Sequence, residues 1–148
     1  MTIEGDVNGT SAQWHFWAVA VVSLLWNSFG GFDYTMSHVQ GVAYYRQMGM
    51  TEAQIAYMGA YPVWMHGVWA FGVWGSVLGS ILLLLRSRWA FLSFVLSTLG
   101  AAGALAYTAL VDDGATIMGG LAMPAVIVIV CLFFVWYSQA MTKRGVLR

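Results

Sequence analysis

The side chains able to do chemistry in this sequence are few, and they lie inside or beside long apolar runs. Asn27, His66 and Tyr107 each fall within such a run, and Asp33 stands just past the end of the first. An ionisable group in hydrocarbon is costly without a partner, so His66 in particular invites a functional reading. Counting helical turns inward from the run ends puts Asn27, His66 and Tyr107 at one level, in the outer half of a membrane. With Asp33 above them and Trp26, Phe29 and Trp69 as walls, they are expected to line a polar pocket for a small ligand. The plainer expectation is that the three polar groups bond between helices and fix their register.

A second constellation is richer in sulfur. Met36, Met48, Met50, Met58 and Met65 fall in the same stretch as His38 and His66. Thioether and imidazole ligands suit Cu(I), which makes Met36, His38, Met48, Met50, Met65 and His66 candidate copper ligands. Against this stands methionine's ordinary use as an adaptable filler of apolar faces. Haem is the other cofactor to weigh. His15 and His66 belong to opposite ends of their runs and cannot clasp one haem, while His38 joins His66 only if the intervening segment folds back over the helix ends. The leading expectation is a protein without a cofactor, with copper or haem as alternatives. No nucleophile–base pair, phosphate loop or metalloprotease helix is recognisable, so the expected function is non-enzymatic. The single cysteine, Cys131, has no intramolecular disulfide partner.

The elements that must position these groups can be read from composition. Of the 148 residues 60% are hydrophobic and 8% are charged, too few charges to cover a water-soluble fold. The apolar runs span residues 14–32, 61–85, 89–111 and 118–141, none containing Lys, Arg, Asp or Glu. Each is close to or above the ~20 residues that cross a bilayer as a helix. The fold class expected is therefore all-α, an integral membrane four-helix bundle forming a single transmembrane domain over 1–148. Six basic and six acidic residues give a net charge of zero and no electrostatic footprint for nucleic acid, so the expected partner is the lipid bilayer. Residues 1–13 contain Glu4 and Asp6 but no Lys or Arg, which is not a signal peptide's positive n-region, so the first run is expected to stay in the mature protein.

Orientation comes from the basic residues. Arg86 and Arg88 lie in the second connection and Lys143, Arg144 and Arg148 come after the last run, two regions that four spans put on one side. The positive-inside rule makes that side cytoplasmic, with both termini. Between the first two spans, Thr51 with Gln54 forms a capping-box pattern opening a short helix, residues 37–48 suit an amphipathic helix on the outer surface, and Gly49 separates the two. Gly30 and Gly31 are expected to end the first span in a left-handed cap, with Asp33 capping the next segment.

Small residues suggest how the spans pack. Gly72, Gly75 and Gly79 fall at three- and four-residue spacing in the second span, and the third answers with Ser97 and Gly100. They are expected to bring the two backbones together in an antiparallel hairpin, unless the Gly75–Gly79 face joins two copies of the chain. The stretch from Trp26 to Met36 (WNSFGGFDYTM), taken with Gly72 to Ser80 (GVWGSVLGS) and Leu82 to Arg88 (LLLLRSR), resembles a family of short proteobacterial inner-membrane proteins, some loosely labelled sugar transporters. The likeness covers most of the chain and implies a Gram-negative inner membrane. The reading as a whole is an accessory or interaction subunit, forming a homo-oligomer or joining a partner membrane protein. A carrier for a small solute, such as a sugar, is the alternative, as is a copper or haem protein.

Overall fold

A computed structural model describes residues 12–148, so the expectation about the leader falls on residues largely outside it. Every regular element among the described residues is a helix: α1 (Trp14–Val39), α2 (Val42–Gln47), α3 (Glu52–Gly59), α4 (Val63–Leu84), α5 (Trp89–Leu110), α6 (Gly114–Ile117) and α7 (Ala122–Lys143). Three of them, α4, α5 and α7, are long and apolar enough to cross a membrane. At 26 residues α1 is longer still, but Asn27, Asp33 and its serines and glycines dilute its apolar character.

The distribution of side chains inverts that of a water-soluble bundle. Ser23, Ser80 and Ser138 have no exposed surface, while Leu25, Phe71, Leu99 and Leu110 are 67%, 70%, 65% and 83% exposed. Hydroxyls bonded within the protein, and bare leucine and phenylalanine outside, are what a hydrocarbon solvent selects.

The long helices form a row, α1 against α4, α4 against α5, α5 against α7. The row curls at one end of the molecule, where Phe16 of α1 stacks on Tyr137 of α7 and Phe94 of α5 on Phe134. Around them Ala20, Leu83, Ala90, Met141, Val146 and Leu147 complete the main apolar core. The start of α1 and the end of α7 thus lie together, beside Arg86 and Arg88 in the α4–α5 connection; we call this the Arg86 end and the opposite one the His66 end.

The tightest seam is α4 on α5, and it is made by the small residues. A methyl group on Gly100 would sit 2.6 Å from the Gly72 amide nitrogen, and one on Gly75 3.3 Å from that of Ser97. Ser97 donates to the Gly72 carbonyl at 2.6 Å and Ser93 to that of Gly75 at 2.7 Å. Gly79 faces the Phe94 ring. The Gly75–Gly79 face is therefore occupied by α5 of the same chain, which removes the alternative that it joins two copies.

Two boundaries differ from expectation. The first helix does not stop at Gly30–Gly31 but runs on to Val39, and neither glycine adopts a positive φ. Packing explains this: a methyl on Gly31 would already touch Trp74 and Val77 of α4 at 3.5 Å, so the glycine admits close approach of α1 to α4. The up to ~1 kcal/mol that each glycine costs a helix is outweighed by that contact. Residues 37–39 consequently belong to α1, and the next helix is only the six residues of α2. The last long helix starts at Ala122 rather than at 118, because Gly119 and Gly120 take φ of 82° and 114°.

Local chemistry sets the remaining ends. Gly49, at φ 78°, closes α2 in a left-handed turn in which the amide of Met50 reaches the Tyr45 carbonyl. Thr51 and Gln54 form the reciprocal capping box at the start of α3. After α7 the tail returns across the Arg86 end: the amide of Arg148 donates to the Arg86 carbonyl, that of Arg88 to the Arg148 carbonyl, and Arg86 Nε to the Val146 carbonyl.

Candidate functional site

The chemistry-bearing residues divide between two levels of the molecule. Deep in the α1–α4 seam, Ser80 Oγ donates to the Ser76 carbonyl at 2.9 Å and accepts from Asn27 Nδ2 at 2.8 Å. With its proton so directed, its 2.6 Å contact with Ser23 has the Ser23 hydroxyl as donor. Asn27 also reaches Ser23 at 3.3 Å and is 6% exposed. This is a closed polar knot that holds α1 on α4.

Asn27 therefore does not share a level with His66. Its partner Ser80 lies fourteen positions further along α4 than His66, about 21 Å at 1.5 Å per residue. The expectation that put Asn27, His66 and Tyr107 in one pocket took the first helix to end at residue 32. With the end at Val39, it is Tyr34 and His38 that reach the level of His66.

There the side chains form an aromatic and imidazole cluster. His38 and His66 rings lie 5.2 Å apart at 80°. Tyr34 lies 4.2 Å from His38 and 5.0 Å from Trp69, and His38 lies 5.7 Å from Trp69, all between ring centroids. The spacing comes from the helices: Tyr34 and His38 are one turn apart on α1, and His66 and Trp69 one turn apart on α4. His38 Nδ1 lies 2.8 Å from the Tyr34 carbonyl, which can only accept, so that nitrogen carries the proton. His66 Nδ1 is buried without a hydrogen-bond partner.

Tyr107 belongs to a neighbouring group. It packs 5.2 Å from Tyr61, 5.7 Å from Trp64 and 6.4 Å from Tyr57, and Tyr61 links this group to His66 at 6.1 Å. Tyr57 seals α3 over the α5–α6 connection, its hydroxyl donating to the Val111 carbonyl at 3.4 Å, and burial pushes that hydroxyl's pKa up. Of the expected pocket, His66, Trp69 and Tyr107 share the His66 end. Asn27 is committed to the serine knot, and Trp26 is 47% exposed on the outside of α1.

Asp33 is neither a cap nor a pocket mouth. It lies within α1 and accepts the Tyr44 hydroxyl at 2.8 Å, which ties α2 down onto the end of α1. Burial, reinforced by the hydrogen bond to Asp33, pushes the Tyr44 pKa up to about 12. On the exposed side Arg46 bonds Glu52 at 3.1 Å; the Glu52 carboxylate holds the guanidinium's pKa above its usual value. Fully solvated pairs of this kind contribute little to stability.

The expected copper ligands lie in several elements. Met36 is partly buried on α1, Met48 is 54% exposed at the end of α2, Met50 lies in the turn between α2 and α3, and Met65 is buried in the first turn of α4. Among the described residues no three His, Cys, Asp or Glu side chains gather into a metal-binding group. What the structure does bring together is His38 and His66. No fold-back of the surface segment is needed, since a continuous α1 delivers His38 directly. Sequence reasoning missed Tyr34, Tyr44, Ser23 and Ser80. Their signal was the i, i+4 spacing Ser23–Asn27 and Tyr34–His38, visible once the helix is allowed through its glycines.

At the Arg86 end an open concavity of about 310 Å³ is lined by Leu85, Arg86, Ser87 and Arg148. Comparison of the chain with protein-family models, with curated proteins and with solved structures finds no match.

Proposed function

We propose that this chain is a four-span, non-enzymatic protein of a Gram-negative inner membrane, acting by association as an accessory or interaction subunit. Hydrogen bonds inside the seams carry the reading. The polar groups in the middle of the long helices, Ser23, Asn27, Ser80, Ser93 and Ser97, are bonded to one another or to backbone carbonyls of the facing helix. They act as fasteners, and the surface left to the surroundings is apolar and meets lipid or another helix. The fourth span is α1: its 26 residues are ample for a ~30 Å core, and its mid-helix Ser23 and Asn27 are buried against α4.

Charge sets the sidedness. Arg86, Arg88, Lys143, Arg144 and Arg148 gather at the end where α1 begins and α7 finishes, so that end is cytoplasmic, and α2 and α3 lie on the outer surface. Exposed Trp14, Trp89 and Trp136 at the Arg86 end and Trp64 at the other suit the two interfaces.

The partner is a second copy or another membrane protein. Gentle extraction into nanodiscs, then native mass spectrometry and cross-linking, tests this. The expected species is a discrete homo-oligomer or a stoichiometric complex, and a solitary monomer under all mild conditions overturns the reading. The carrier alternative has less support, because Asn27 and Asp33 are taken up by Ser80 and Tyr44 and are not aimed at a shared pocket.

A further inference from the structure

The imidazole pair at the His66 end has the makings of a ligand site. His38 is exposed on the last turn of α1 and His66 is half-buried on the first turn of α4, so the pair sits at one end of the molecule, anchored in two long helices. His38 has its Nδ1–H committed to the Tyr34 carbonyl, which leaves the Nε2 lone pair for another partner. Metal-binding histidines are commonly fixed in this way, one ring nitrogen held by a carbonyl so that the other is oriented and basic. His66 Nδ1 is buried and has no protein partner, a costly arrangement that a ligand would relieve.

The ring separation is compatible with one shared ion. A metal ion ~2.0–2.1 Å from an imidazole nitrogen lies about 3.2 Å from the ring centroid, so two rings on one ion with a tetrahedral angle between them have centroids about 5.2 Å apart. The observed separation is 5.2 Å. Tyr34 and Trp69 pack on the His38 ring and Tyr61 packs on the His66 ring, so each imidazole has an aromatic neighbour besides the other.

We propose that His38 and His66 together bind one late first-row transition-metal ion, Cu²⁺ or Zn²⁺, for which imidazole is a suitable ligand. Two protein ligands leave the remaining positions to water or to a small exchangeable ligand, so the site loads reversibly from the outer surface. The proposal is independent of whether the chain associates with a partner.

The test uses the full chain, purified without a histidine tag, stripped with chelator and returned to nanodiscs. Zn²⁺ titration monitored by calorimetry is expected to give one equivalent, with affinity reduced at least tenfold in His38→Gln and in His66→Gln and unchanged in His15→Gln. Cu²⁺ paramagnetic resonance on the unaltered protein provides a readout that needs no variant, with hyperfine structure from two nitrogens expected. Affinity unchanged in both variants, or a spectrum with one coordinating nitrogen or none, overturns the proposal.

Discussion

A single methyl group at position 100 interrogates the α4–α5 seam. In Gly100→Ala the added Cβ would lie 2.6 Å from the Gly72 nitrogen, 2.7 Å from its Cα and 2.9 Å from the Val68 carbonyl oxygen. All three are backbone atoms in the middle of a helix, so no rotamer change relieves the clash. Reaching an ordinary separation of ~3.5–4.0 Å requires the helices to part by about 1 Å. That motion stretches the Ser97 and Ser93 bonds to the Gly72 and Gly75 carbonyls, now 2.6 and 2.7 Å. Overpacking costs ~1–3 kcal/mol, and each weakened interhelical bond adds about half a kcal/mol. Alanine's better helix propensity returns at most ~1 kcal/mol. The net expectation is destabilisation of about 1–3 kcal/mol. Gly67→Ala on α4 is the control, since nothing lies within 4 Å of its added methyl, and there the propensity gain stands alone. Reversible unfolding from mixed micelles by increasing dodecyl sulfate, monitored by tryptophan fluorescence, reads both. Gly100→Ala as stable as Gly67→Ala would refute the close-packed seam.

Other perturbations address the remaining joints. Ser80→Ala removes the acceptor shared by Asn27 and Ser23, leaving Asn27 with a 3.3 Å contact to Ser23, and is expected to cost ~1–2 kcal/mol in the same assay. Tyr44→Phe releases α2 from Asp33, so the amides of α2 should exchange hydrogen faster while those of α5 and α7 do not change. Because folding raises the Tyr44 pKa to about 12, its neutral form stabilises the fold fully below pH ~10, and that contribution disappears as the pH climbs through about 12. Alkaline titration of tyrosinate absorbance should therefore lose a late-titrating component in Tyr44→Phe. Thr51→Ala breaks the capping box and should weaken the start of α3 by ~1 kcal/mol, seen as faster exchange at Ile55 and at Gln54, whose amide bonds the Thr51 hydroxyl.

The parts of the fold that sequence made legible are those where local pattern and solvent agree. The stretches 61–85 and 89–111 become α4 and α5 to within two residues at each end, because an unbroken apolar run in lipid can satisfy its backbone only as helix. The capping box at Thr51 and the separator at Gly49 were equally readable, since both act through neighbouring backbone. Gly30–Gly31 was misread for the opposite reason. Glycine signals a helix end and a close helix contact with the same letter, and only the presence of Trp74 and Val77 on α4 decides between them. That one ambiguity moved the end of α1 from 32 to 39, about 10 Å along the axis, and so shifted every depth inferred from it. Asn27 is consequently matched with His66 instead of Ser80, and the nearness of His38 to His66 is tied to a fold-back of the surface segment that the continuous α1 makes unnecessary. His38, His66 and Trp69 can be singled out by residue type, but their grouping with Tyr34 depends on the register between α1 and α4, which no local pattern encodes.

A four-span protein requires α1 to cross the bilayer, and labelling from one side measures that directly. In a Cys131→Ser background, Gln13→Cys and Gln47→Cys flank α1 at its two ends. A membrane-impermeant maleimide applied to spheroplasts, the inner membrane exposed but sealed, should modify position 47 at once and position 13 only after permeabilisation. Equal labelling of both positions before permeabilisation would place the ends of α1 on one side and contradict the four-span architecture.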